Sequence, residues 1–131
     1  MTPAQLEKLC LSLPGSGVEF PFDEGTSVFK VAGKMFALSA LRATPLRVSL
    51  KCDPDLAVTL RMNHVAITPG YHLNKRHWNT VLLDGSVPDR LVREMVEDSY
   101  DLVVAGLSRR QQEKLKWSAL AAGDADDGPA R

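Results

Sequence analysis

An α+β fold, an antiparallel sheet with helices on one face in the order helix–strands–helix–strands–helices, is what this sequence predicts. Three observations predict it. A capped segment opens the chain and places Leu6, Leu9, Cys10 and Leu13 on one helical face. Two runs rich in valine and phenylalanine, Thr26 to Ala32 and Lys34 to Ala40, meet at Ala32-Gly33, where glycine has the freedom a tight hairpin turn requires. Leu46, Val48 and Leu50 then alternate with Arg47, Ser49 and Lys51, the period of a strand with one buried and one wet face.

The first helix is expected from about Pro3 to Ser12, because Thr2 can cap it, Pro3 suits its first position and Gln5 can complete a capping box. Pro14 and Gly15 stop it, and the stretch to Gly25 reads as loop with a short extended piece anchored by Phe20 and Phe22. Asp53-Pro54 opens a second short helix with Leu56, Ala57 and Leu60 inward and Asn63 at its end. Val65 to Thr68, cut off by Pro69-Gly70, and Trp78 to Leu83 read as strands. Ser86 with Asp89, and Pro88 in the first turn, opens a third helix carrying Leu91, Val92, Met95 and Val96 inward, with Ser99 recapping a further turn that bears Tyr100 and Val103. Ser108 with Gln111 caps a last helix to about Leu120.

A chain of 131 residues suits one domain, here residues 1–120, and a domain of this size buries roughly 65–70% of the surface its unfolded chain exposes. Residues 121–131 lack any large apolar side chain, so they are expected to form a disordered acidic tail. No apolar run approaches the length of about 18–20 residues that spans a bilayer, and no basic segment leads into an apolar signal core, so a cytoplasmic protein without membrane contact is expected. Cys10 and Cys52 fit reduced thiols better than a disulfide framework. A monomer is expected.

Net charge is zero, but its distribution is uneven. Residues 30–80 carry eight cations against Asp53 and Asp55, whereas each flank is acidic by three charges. A basic middle between acidic flanks can present a local positive field despite the neutral total. Charges scattered over a solvated surface are the alternative.

Most catalytic chemistry finds no footing. His64, His72 and His77 lack paired helical spacing and there is no Cys-x-x-Cys, so neither a metal nor any other cofactor is expected. Gly15-Ser16-Gly17 lacks the glycine and lysine that cradle phosphate. No serine sits on a nucleophile elbow, Cys52 has no evident base, and the acids Asp23-Glu24 and Glu97-Asp98 are adjacent rather than paired on one helical face. An enzyme is not expected.

What remains is the run from Gly70 to Val81, where cations, imidazoles and aromatics crowd without alternating. His72, Asn74, Lys75, Arg76 and His77 precede Trp78, a mixture suited to phosphate contact with stacking on a base or sugar. The alternative is a surface loop whose Tyr71, Leu73 and Trp78 turn into the core, and burial is expected for both Trp78 and Tyr100. This run, together with Phe20-Pro21-Phe22, the segment Val28 to Leu38, and Ser99-Tyr100-Asp101-Leu102-Val103, resembles the MmcQ/YjbR family of small bacterial proteins. The matching positions of the run are His72, Asn74, Lys75, Trp78 and Asn79. The resemblance implies a fold related to secretion chaperones and frataxin-like domains, and DNA binding through a double-wing surface, without a catalytic residue to carry over.

Two functions are therefore in competition. In the first, Arg47 and Lys51 join His72, Asn74, Lys75, Arg76 and His77 in a surface that contacts DNA backbone with little sequence readout. In the second, an exposed sheet or groove receives a protein partner, as the kinship with secretion chaperones implies. A contiguous positive face would favour the first and an apolar patch the second.

Overall fold

The computed structural model describes the backbone of residues 1–127 and the side chains of residues 1–121. Helix α1 (Pro3–Ser12) begins with the expected reciprocal capping box, Thr2 Oγ1 accepting from the Gln5 amide and Gln5 Oε1 from the Thr2 amide. It buries Leu6 and Cys10. Four residues expected to be loop then supply a strand, β1 (Ser16–Glu19), at the sheet edge. Its pairing ends at Glu19↔Val28, so Phe20 and Phe22 lie past the last rung and are exposed rather than anchoring, Phe22 at 71%.

The hairpin of β2 (Ser27–Val31) and β3 (Lys34–Ser39) turns at Ala32-Gly33 as expected, with positive φ at both residues (49° and 77°). The register slips beside Phe29/Lys30, leaving Phe36 as an extra residue on β3. Both Phe36 and Ala37 therefore reach the core. β4 (Arg47–Lys51) follows, then α2 (Pro54–Asn63), capped by the Asp53 carboxylate at the amides of Asp55 and Leu56. Of its expected inward residues only Ala57 is buried; Leu56 is exposed because α2 lies over the sheet's end rather than its centre, near the two strands that follow.

β5 (Ile67–Pro69) starts later than expected, with Val65 99% exposed in the approach to it, and β6 (Trp78–Leu82) completes an antiparallel sheet ordered β1-β2-β3-β4-β6-β5. Helix α3 (Asp89–Ala105) lies across β2, β3 and β4 and buries Val92, Met95, Val96, Ser99, Tyr100 and Val103. Ser86 does not cap it: its amide and hydroxyl both bind the Asp84 carboxylate, closing a turn before the helix. Nor does Ser99 recap the chain, since α3 passes through it without a break. Helix α4 (Arg109–Asp127) opens on the expected Ser108/Gln111 box and runs seven residues beyond Leu120; the rest of the expected tail, 128–131, lies outside the described residues.

The strand registers decide which face each side chain takes. Phe29, Ala37, Leu50, Val48 and Val81 point to the helices and join Leu6, Val92 and Tyr100 in one core. Val28, Leu38, Ser49, Thr80 and Thr68 form a row on the opposite face, flanked by Lys30, Arg47, Lys51 and Trp78. Among the described residues no helix packs on that side. Ser49, expected to be wet, is buried there because its hydroxyl bonds Thr80 Oγ1 at 2.8 Å while flanking loops rise beside it.

Candidate nucleic-acid interface

Carboxylates avoid the open sheet face. No Asp or Glu occurs from Thr26 to Cys52 or from His64 to Leu83, so β2, β3, β4, β5 and β6 bring none to it. The sole acid its registers place there is Glu19 on the edge strand, and Lys30 holds it at 3.1 Å. The helices carry the acids instead: α3 alone has Asp89, Glu94, Glu97, Asp98 and Asp101. Of the cations in the basic middle, the registers bring Lys30, Arg47 and Lys51 to this face, while Arg61 lies on α2.

Arg47 and Lys51 share this face, roughly 13 Å apart at the two ends of β4, four strand steps from each other. Among the described residues neither has a carboxylate within ion-pair distance. Lys51 stands opposite Trp78, and the Cys52 amide donates to the His77 carbonyl at 2.8 Å, which joins the end of β4 to the loop 70–77. The loop is built around Gly70. A Cβ there would stand 2.7 Å from Trp78 Cβ and 3.0 Å from its carbonyl oxygen, so only glycine lets the backbone pass. Beyond it the chain folds back over the open face, and the Tyr71 amide donates to Thr80 Oγ1 at 3.0 Å.

Within the loop the expected contact residues divide by role. Asn74 Oδ1 accepts from the amides of Arg76 and His77, a side-chain-closed turn. Lys75 turns its ammonium back to the Gly70 carbonyl at 3.2 Å. Arg61 of α2 clasps the same loop from outside, donating to the Lys75 carbonyl and to Asn79 Oδ1, while Asn79 donates in turn to the Ala57 carbonyl. Asn74 and Lys75 are therefore engaged in holding the loop, whereas Arg76 is exposed and has no ion pair among the described residues. His72 sits at φ 57°, a left-handed conformation uncommon for a non-glycine residue, and its imidazole lies tilted against the Tyr71 ring at 4.0 Å between centroids.

The aromatics of the loop also divide. Trp78 is 9% exposed and packs as expected, Leu73 is half-buried, and Tyr71 is 71% exposed, contrary to an inward-turning Tyr71. Tyr71 walls a concavity of about 530 Å³ on the open face. Leu38, Ser49, Thr80 and Thr68, neighbours on the sheet, floor it, and Ala40, Ala43, Pro45 and Arg47 also line it. Of the residues expected from sequence only Arg47 lines it. Ser49, Thr80 and Tyr71 were not expected as site residues because their conjunction depends on strand register, which no spacing in the chain announces.

Elsewhere the chemistry is quiet. Burial pushes the Cys10 thiol up to about 12, and burial, then Asp53 and Asp98, raise that of Cys52, so neither is a poised thiolate. Among the described residues no three His, Cys, Asp or Glu side chains gather around a metal-sized site, and no helix is long and apolar enough to cross a membrane.

The family model YjbR matches residues 11–102. The chain is 36% identical over 115 residues to the uncharacterised protein YjbR of Escherichia coli K12, covering 88% of this chain and 98% of that protein. It is 38% identical over 111 residues to the uncharacterised protein YbdF of Escherichia coli O157:H7, with coverage of 84% and 90%. The crystal structure of Deinococcus radiodurans protein DR2400 superposes with a TM-score of 0.83 at 45% identity over 88% of each chain. A Pseudomonas syringae protein superposes at 0.66 and 27% identity, over 78% of this chain and 98% of its own. With the match reaching from the end of α1 into α3 and near full-length relatives above 30% identity, this chain belongs to the YjbR family.

Proposed function

We propose that this protein binds nucleic acid on the open face of its sheet, by contact with the phosphate backbone and without catalysis. One observation carries the reading: the strands β2 to β6 bring no carboxylate to that face, while Arg47 and Lys51 stand on it without an ion pair among the described residues. Arg76, on the loop bonded to the end of β4, extends the cationic track. Phosphates meet there a field that the acidic helix α3 on the other side does not oppose at close range, and screening over about 10 Å at 0.1 M salt separates the two further.

The test is affinity for a generic labelled oligonucleotide across a salt series. Binding should weaken steeply with salt, and Arg47→Ala with Lys51→Ala should lower the slope of log affinity against log salt by about two. Absence of binding at low salt, or an unchanged slope in the double variant, would overturn the reading. A protein-interaction module is the second reading. It draws on Val58 and Met62, exposed apolar side chains four residues apart on α2. A chain that binds no oligonucleotide but self-associates until Met62→Ser is introduced would favour it.

A further inference from the structure

We propose that the ligand is a single strand, and that the concavity beside Tyr71 receives one of its bases. The inference rests on the nucleic-acid reading above and adds to it what the strand must look like. Three features of the site carry it. First, its volume of about 530 Å³ falls within the range of roughly 300–1,000 Å³ typical of small-molecule pockets, so an unpaired base with its sugar fits and a base pair held in a duplex cannot enter. Second, its lining offers apolar surface to a ring: the exposed Tyr71 ring, Ala43 and Pro45 all border it. An aromatic ring left 71% exposed on a basic face, and backed by the His72 imidazole at 4.0 Å, is a platform on which any base can stack.

Third, the floor retains a hydrogen-bond donor. Ser49 Oγ and Thr80 Oγ1 lie 2.8 Å apart and either can donate to the other; the Tyr71 amide donates to Thr80 Oγ1. Two hydroxyls hold two hydrogens, and the contact between them uses one. Whichever way it runs, the other hydrogen remains to be offered to an oxygen of the base, in a floor where both residues are otherwise buried. Arg47, which lines the same concavity, is placed to meet the phosphate of the inserted nucleotide. Ring, donor and cation thus line one concavity, the three groups that a nucleotide's base, its oxygen and its phosphate call for.

The experiment compares fluorescence anisotropy of a short oligothymidylate, a short oligouridylate and a duplex of equal length, using the full chain and its variants Tyr71→Ala, Tyr71→Phe and the double change Arg47→Ala/Lys51→Ala. Single strands should bind more tightly than the duplex. Tyr71→Ala should weaken them by about tenfold, the loss of one base–aromatic stack, leave duplex affinity unchanged, and be rescued by Tyr71→Phe. The oligothymidylate and oligouridylate arms separate DNA from RNA as the source of the strand, since a preference for either supports the pocket. Equal affinity for duplex and single strand, with no effect of Tyr71→Ala, overturns the inference; if the Arg47/Lys51 variant still flattens the salt dependence in that case, the backbone reading stands alone. Loss of all binding by every strand overturns both.

Discussion

The Ser99 hydroxyl, in the middle of α3, donates to the Phe36 carbonyl of β3 at 2.6 Å and accepts the Lys51 amide of β4 at 2.8 Å. These two strands pair only at Ala37↔Leu50 and Leu38↔Ser49, so Ser99 fills the next rung, where Phe36 and Lys51 would otherwise bond directly. A helix side chain thereby completes the sheet at the place where the extra residue Phe36 bends β3. Ser99→Ala should cost about 1–3 kcal/mol, since it strands two backbone groups away from water. Urea unfolding of the variant is the check, and a change below experimental error would mean that the strands close the gap themselves.

Gly70 meets Trp78 so closely that Gly70→Ala should destabilise by about 1–3 kcal/mol through overpacking against backbone as well as side chain. The loop 70–77 should loosen with it, visible as faster amide exchange at Tyr71 and His77. Wild-type exchange at those amides would show that the loop accommodates the methyl.

Trp78, 9% exposed, has its role in packing, and Trp78→Ala should cost about 3–5 kcal/mol as an aromatic truncation. Trp117, 74% exposed on α4, serves as the control: Trp117→Ala should stay within about 0.5 kcal/mol of the parent. Thermal melts of the two variants distinguish the cases.

Ala32 adopts φ 49° at the first turn position of the β2–β3 hairpin, a conformation disfavoured for an L-residue with a Cβ. Asparagine before glycine suits this turn, so Ala32→Asn should stabilise by about 0.5–1 kcal/mol. A lower melting temperature in the variant would refute the assignment of strain.

Two aspartates pull stability in opposite directions with pH. Partial burial, then Asp101 and Glu94, raise the carboxyl of Asp98, so its ionisation disfavours the fold at neutral pH and the penalty fades as pH falls through the carboxylate range. Asp98→Asn should therefore raise the melting temperature at pH 7 and lose that advantage near pH 3. Asp84 is the reverse: hydrogen bonds from the Ser86 hydroxyl and amide lower its carboxyl, giving stability present above the usual Asp range and lost below it. Ser86→Ala should thus be destabilising at pH 7 and neutral in strong acid.

Much of the architecture was legible along the chain because local signals report local structure. The Thr2/Gln5 box, the Asp53 cap, the Ala32-Gly33 turn and the alternation through β4 each describe a few consecutive residues, and each appears where the spacing puts it. The misreadings share a cause as well. β1 has four residues and pairs through its backbone, so its side chains carried little sign of it. Ser86 and Ser99 looked like caps, yet one was drawn to a nearer acceptor, Asp84, and the other to a gap between strands far away in sequence.

By itself, then, the sequence determined the class of fold, the family and the existence of a basic middle, since composition, periodicity and motif order are properties of a string. Only the tertiary structure decided that Lys30, Arg47 and Lys51 of this middle share a face. Antiparallel register brings Arg47, Ser49 and Lys51 beside Thr80 and Trp78, and the Gly70 fold-back carries Tyr71 over them. It also assigned Asn74 and Lys75 to holding the loop while leaving Tyr71 outside. Side-chain direction in a sheet has period two and is set by pairing with distant strands, so a chain can specify which residues are present long before it specifies which of them meet.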